Sequence, residues 1–162
     1  MRARIVRLAV ALVAAMAVAV PAGAAPVPTP FTANLTAQGS FVPTAEEGVF
    51  AGTVVGAGRA THLGRVTVSS TETVDFTSPT GEVLVQDGQM VVVAANGDEL
   101  HWSYSGTGTP PDANGDFALS GTFAITGGTG RFADATGGGT FGGPASVVTF
   151  TADVVYRGAI TW

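Results

Sequence analysis

The sequence predicts an all-β protein whose chain closes into an eight-stranded antiparallel up-and-down barrel. A two-sheet β-sandwich is the alternative that strand periodicity alone leaves open. Three observations point this way. Apolar and polar residues alternate with a period of two over most of the chain. Gly, Pro, Asn-Gly and Asp-Gly signals break that alternation every eight to twelve or so residues. Helical periodicity is almost absent. Eight strands with one apolar face each can close on themselves, which removes the unpaired edges that invite aggregation. Such a barrel has a bore that side chains fill or that holds one small ligand.

The chain opens with Arg2, Arg4 and Arg7, an apolar run from Leu8 to Val20, and Pro21-Ala22-Gly23-Ala24-Ala25. That order is a secretory signal peptide with small residues at its cleavage site, expected to span residues 1–24. The apolar run falls short of the ~20 residues a membrane-spanning helix needs. Arg2 and Arg4 are not adjacent, so a twin-arginine signal is absent. Residues 25–30, rich in proline, read as a linker, and residues 31–162 as one barrel domain.

Phe31, Ala33, Leu35, Ala37 and Phe41 alternate with polar partners in a first strand. Val49 to Thr61 forms a glycine-loosened second. Arg65 to Thr77 forms a third, with Val66, Val68, Val74 and Phe76 on one face. After the turn Ser78-Pro79-Thr80-Gly81, Val83 to Ala95 is a fourth, with a bulge or break at Asp87-Gly88. Asn96-Gly97 is a two-residue hairpin signal, because both central positions of a type I′ turn need positive φ. It leads into Glu99 to Gly106, where Leu100, Trp102 and Tyr104 share a face. A sixth strand carries Phe117, Leu119, Phe123 and Ile125 on one side. Gly137 to Phe141 is a short seventh, and Val147 to Thr161 a long eighth with Val148, Phe150, Ala152, Val154, Tyr156 and Ile160 facing one way.

Without its leader the chain keeps four arginines against 12 acidic residues, a formal charge of −8, and it has no lysine. A basic patch able to neutralise phosphates is missing, which argues against nucleic acid and anionic membrane as partners once the leader is cleaved. No cysteine is present, so neither a disulfide nor a lipid anchor on cysteine is possible, and a packed core must supply the stability.

The stretch Gly121 to Gly143, GTFAITGGTGRFADATGGGTFGG, runs strand, glycine-rich corner, one helical turn and strand again. Its Ile125-Thr126-Gly127-Gly128-Thr129-Gly130-Arg131-Phe132, with Ala135 and Gly137 and the last strand from Phe150 to Gly158, resembles the allene oxide cyclase-like barrel superfamily, which includes the plant dirigent proteins. Ala60-Thr61-His62-Leu63-Gly64 and Ala94-Ala95-Asn96-Gly97-Asp98 are similar to stretches of a bacterial secreted branch. The resemblance covers about the C-terminal third of the chain. It implies an eight-stranded barrel and, as one function, a cofactor-free cyclase or isomerase that steers ring closure of a hydrophobic intermediate in the bore. It carries over no catalytic residue, because the N-terminal half does not align with those that polarise the epoxide.

Several motifs compete as sites. Gly128-Thr129-Gly130-Arg131-Phe132-Ala133 fits the dinucleotide fingerprint G-x-G-x-x-A, but the glycines from Gly137 stop any helix after about one turn, whereas the fingerprint needs a long helix in a βαβ unit. A barrel corner with Phe132 plugging the barrel end is the stronger reading. Asp112-Ala113-Asn114-Gly115-Asp116 has calcium-loop spacing at its start, but Phe117 and Phe123 stand where such a loop needs glycine and a bidentate acid. His62 and His101, the two histidines, lie on different strands without further ligands. His62 is expected to bond backbone at a strand end, and no metal or cofactor is called for.

Glu72 is the residue of greatest interest. An unbroken third strand points it inward with Val66, Val68 and Val74, where burial would raise its pKa and make it an acid, a base or a ligand anchor. A bulge near Ser69-Ser70 would instead turn it to water. Trp102 and Tyr104 either line a small-molecule cavity with it or simply pack the core. Three functions stay open: an exported barrel that binds a small apolar molecule or acts as an extracellular interaction protein, the cyclase or isomerase above, and an inert domain with a filled core.

Overall fold

The computed structural model describes residues 27–162; the expected leader and the start of the linker lie outside the described residues. Eight strands form one closed antiparallel barrel in sequence order: β1 (Thr29–Pro43), β2 (Val49–Ala60), β3 (Gly64–Asp75), β4 (Val83–Ala94), β5 (Glu99–Gly108), β6 (Asp116–Gly128), β7 (Thr136–Ser146) and β8 (Thr151–Thr161). β1 pairs with β8 to close the ring, so the barrel and not the sandwich is the architecture.

Several boundaries differ from those expected, among them these four. β1 begins at Thr29, because Thr29 and Pro30 pair with Ile160 and Ala159 and are not linker. β3 ends at Asp75, where Asp75 Oδ1 accepts the Thr77 amide at 2.7 Å in a local turn, leaving Phe76 beyond the strand. β7 continues past Phe141 to Ser146, because its glycines pair with neighbours on both sides despite offering no side-chain signal. β8 starts only at Thr151: residues 147–150 form the turn, and Phe150 takes a φ of +55°, in the left-handed region and outside the extended backbone of a regular strand.

The bulge lies on β4, not at Ser69-Ser70. Gln86 and Gln89 face Thr73 and Thr71, so Asp87 and Gly88 together oppose the single residue Glu72. Asp87 takes a φ of +53° there. β3 itself runs in unbroken register against β2, with Gly52 opposite Glu72, so the inward phase of Val66 and Val68 continues through Ser70 and Glu72 to Val74.

The two ends of the barrel are built differently. At the end formed by residues 61–63, 95–98 and 129–135, the glycine-rich corner makes a single 3₁₀ turn, Gly130–Phe132, and Phe132 is wholly buried with Leu63 and Ala135. The Thr129 amide donates to Glu99 O at 2.9 Å, and the Glu99 amide donates to Thr129 Oγ1 at 2.9 Å. Arg131 stacks over Phe132 at 4.7 Å, reaches Asp98 at 4.0 Å and donates to His62 O. His62 Nε2 lies 3.1 Å from Pro30 O, and its ring packs tilted against Trp162 with centroids 4.6 Å apart. The corner is therefore a stitch across three loops, with Phe132 as its plug. Beneath it Trp102, fully buried, meets Phe31, Phe123 and Tyr156 at ring distances of 5.9, 5.6 and 5.1 Å.

Candidate functional site

The other half of the bore is not filled. A cavity of about 540 Å³ opens toward the end formed by residues 44–48, 76–82, 109–115 and 147–150. Glycines on the inner face make the room. A Cβ at Gly52 would stand 2.6 Å from the Phe41 ring and 3.0 Å from Glu72 Cγ, and one at Gly88 would stand 2.5 Å from the Tyr104 ring. Aromatic rings thus lie flat against bare backbone and leave the axis open.

The walls are apolar, with Leu35, Val54, Val68, Met90 and Leu119 among them. At the mouth Phe41 packs on Phe150 at 5.7 Å and Phe50 edge-on against Phe76 at 5.7 Å. Phe76 and Phe150 remain 41 % and 49 % exposed, so the rim presents apolar surface to water.

One polar cluster interrupts the walls. Tyr104 Oη lies 2.6 Å from Glu72 Oε2 and 3.0 Å from Ser70 Oγ. A phenol has one proton to give, so with Glu72 ionised Tyr104 donates to the carboxylate and accepts from the Ser70 hydroxyl. β3 supplies Ser70 and Glu72 from one face, and β5 supplies Tyr104 across the narrow span of β4 that Gly88 leaves free. Phe141 meets the Tyr104 ring edge-on at 5.8 Å and stacks on Tyr156 at 5.2 Å.

Burial pushes the Glu72 carboxyl above its ordinary pKa, and the hydrogen bond from Tyr104 offsets part of that rise. Burial, then the neighbouring Glu72 charge, push the Tyr104 phenol far above its usual range; the same two causes raise Tyr156. Because the folded-state pKa of Glu72 is raised, its contribution to stability is complete below the unfolded value near 4.5 and is lost as pH rises through the folded value. Glu72→Gln removes that titration. Thermal melts from pH 4 to 8 are therefore expected to show the wild type losing stability relative to Glu72→Gln as pH rises; a constant difference would show that Glu72 is not desolvated.

Of the three residues singled out from the sequence, Glu72 and Tyr104 meet in the cavity and Trp102 does not. Trp102 packs the plugged half, and its buried indole Nε1 makes no hydrogen bond of ordinary geometry among the described residues, although it is close enough to the Tyr156 hydroxyl to offset part of the rise in that phenol's pKa. His101 turns outward to Glu99, 2.8 Å away. Asp112 Oδ1 accepts the amides of Asn114 and Asp116 at 2.8 and 3.0 Å, an ordinary exposed turn, and these bonds lower its pKa. No group of three or more metal-ligating side chains occurs among the described residues. Ser70 and the phenylalanine rim went unrecognised; Ser70 shares the inward phase of Glu72 and was legible, whereas the rim depends on where the strands stop. Comparison with family models, with curated proteins and with solved structures found no match.

Proposed function

We propose that this protein is an exported carrier or receptor for a small apolar molecule, held in the open half of the barrel. The observation that supports this reading is the cavity of about 540 Å³ between apolar walls, which falls in the ~300–1,000 Å³ range of small-molecule sites, with one convergent polar cluster to orient the occupant. Export rests on the leader expected at residues 1–24. The test is mass spectrometry of small molecules extracted from the protein purified from its native secretion, with displacement of an apolar fluorescent probe in parallel. Recovery of a stoichiometric apolar compound and saturable probe binding are expected; neither compound nor probe would return weight to an inert domain.

A second reading, a cyclase or isomerase, draws on the pairing of a carboxyl with a phenol in an apolar wall and on the resemblance in the glycine-rich corner. It requires that Glu72→Gln or Tyr104→Phe reduce ring closure of an epoxide-type substrate; unchanged turnover in both variants would remove it.

A further inference from the structure

We propose that the occupant of the cavity carries a basic amine, and that its ammonium is held by Glu72 against the Tyr104–Phe141–Tyr156 wall. This rests on the reading of the cavity as a small-molecule site and adds the chemistry of the occupant's polar end.

The argument begins with charge. Glu72 is the one lining residue whose side chain is an acid or base of ordinary range; the other polar groups on the lining are phenols and hydroxyls. Among the described residues no arginine or histidine lines the cavity. Arg59 and Arg65 face the outer surface, Arg131 belongs to the plugged end, and Arg157 is exposed. A carboxylate enclosed by apolar walls without a counter-ion is costly, and an added cation repays more there than in water.

The direction of the hydrogen bonds points to the same partner. With Glu72 ionised, the single Tyr104 proton goes to Glu72 Oε2 and the Ser70 hydroxyl turns to Tyr104 Oη, so the proton-donating capacity of the cluster is spent internally. What it offers to the cavity is the second carboxylate oxygen, an acceptor. An ammonium supplies donors and charge together. A carboxylate occupant would face like charge, and a neutral occupant would leave Glu72 without a counter-ion. Tyr104, Phe141 and Tyr156 form a joined aromatic wall on the same cavity lining as Glu72, and ring faces attract cations.

The experiment is calorimetric titration of the wild type and Glu72→Gln with decylamine, 1-decanol and decanoate, each below its aggregation concentration. A hydrogen bond to a charged group is stronger than one between neutral groups, so the wild type is expected to prefer the amine over the alcohol by about tenfold or more, with decanoate weakest. In Glu72→Gln the amine preference is expected to disappear while alcohol affinity is kept. Equal affinity for amine and alcohol in the wild type, tighter decanoate, or an amine preference that survives Glu72→Gln would overturn the inference and leave the apolar site standing. Binding of none of the three chains, with no apolar probe bound, would overturn the site itself. If Glu72→Gln fails to fold, the amine-to-alcohol ratio of the wild type decides alone.

Discussion

Trp102→Ala is expected to destabilise the fold by about 3–5 kcal/mol, among the largest losses a single core truncation produces. Trp102 is fully buried and touches rings from β1, β6 and β8, so its removal leaves a void bounded by three strands that are themselves paired on both sides and cannot close in. At roughly 4 °C per kcal/mol for a domain of this size, the melting midpoint should fall by about 10–20 °C. Trp102→Phe is the informative companion. It keeps most of the ring contacts and deletes the buried indole N–H that makes no hydrogen bond of ordinary geometry, a group whose burial costs about 1–3 kcal/mol, so its net effect should stay under about 1.5 kcal/mol. Neither change borders the cavity, and probe affinity in the folded fraction should be unchanged. A loss below about 1 kcal/mol for Trp102→Ala would show that the plugged half is not the core.

Val54→Trp is expected to abolish probe binding while leaving the barrel folded. Val54 lies on the inner face of β2 between Gly52 and Gly56 and lines the cavity, whereas its neighbour Val55 faces water at 57 % exposure. The indole enters existing space, so the overpacking cost of about 1–3 kcal/mol that accompanies enlargement of a filled core should be small or absent. A more than tenfold rise in the dissociation constant of an apolar probe, with unchanged near-ultraviolet dichroism of the aromatic cluster, is the expected result; about 1.4 kcal/mol of lost binding suffices for it. Val55→Trp is the control and should bind as the wild type does. Full probe affinity in Val54→Trp would mean that the probe sits elsewhere.

Alternation carried most of the fold, because each strand buries one face and a single inward set recurs every second residue. Asn96-Gly97 marked its hairpin, and Phe132 marked the plug, since an isolated aromatic amid glycines at a strand corner has nowhere to go but the core. Alternation fails where side chains vanish. Gly142 and Gly143 pair in β7 without any pattern to reveal it, and Val148 and Phe150 keep the phase of β8 while lying in the turn before it. The site was half legible for a related reason. Trp102 and Tyr104 share a face and are equally apolar in outlook, yet about 7 Å along the strand separates them, and that step crosses from packed bore to open bore. Periodicity reports which way a residue points and not how deep along the axis it sits. What decided depth was Gly88 opposite Tyr104, a residue that the sequence marks, with Asp87, as a bulge or break in the strand but not as room for a ring.

The seam between β1 and β8 also sets the order of events by which the chain acquires its shape. Thr29 and Ile160 are bonded across 131 residues, whereas every other strand pairs with its neighbour in sequence. Each hairpin can form within microseconds, whereas the β1–β8 pairing carries the largest loop-closure entropy and is expected to form last. Until it forms, both terminal strands are bare edges beside an apolar interior, and with no cysteine in the chain nothing covalent holds them in place. The hazard of aggregation is thus confined to a time window, and its length is the waiting time of a single zipper.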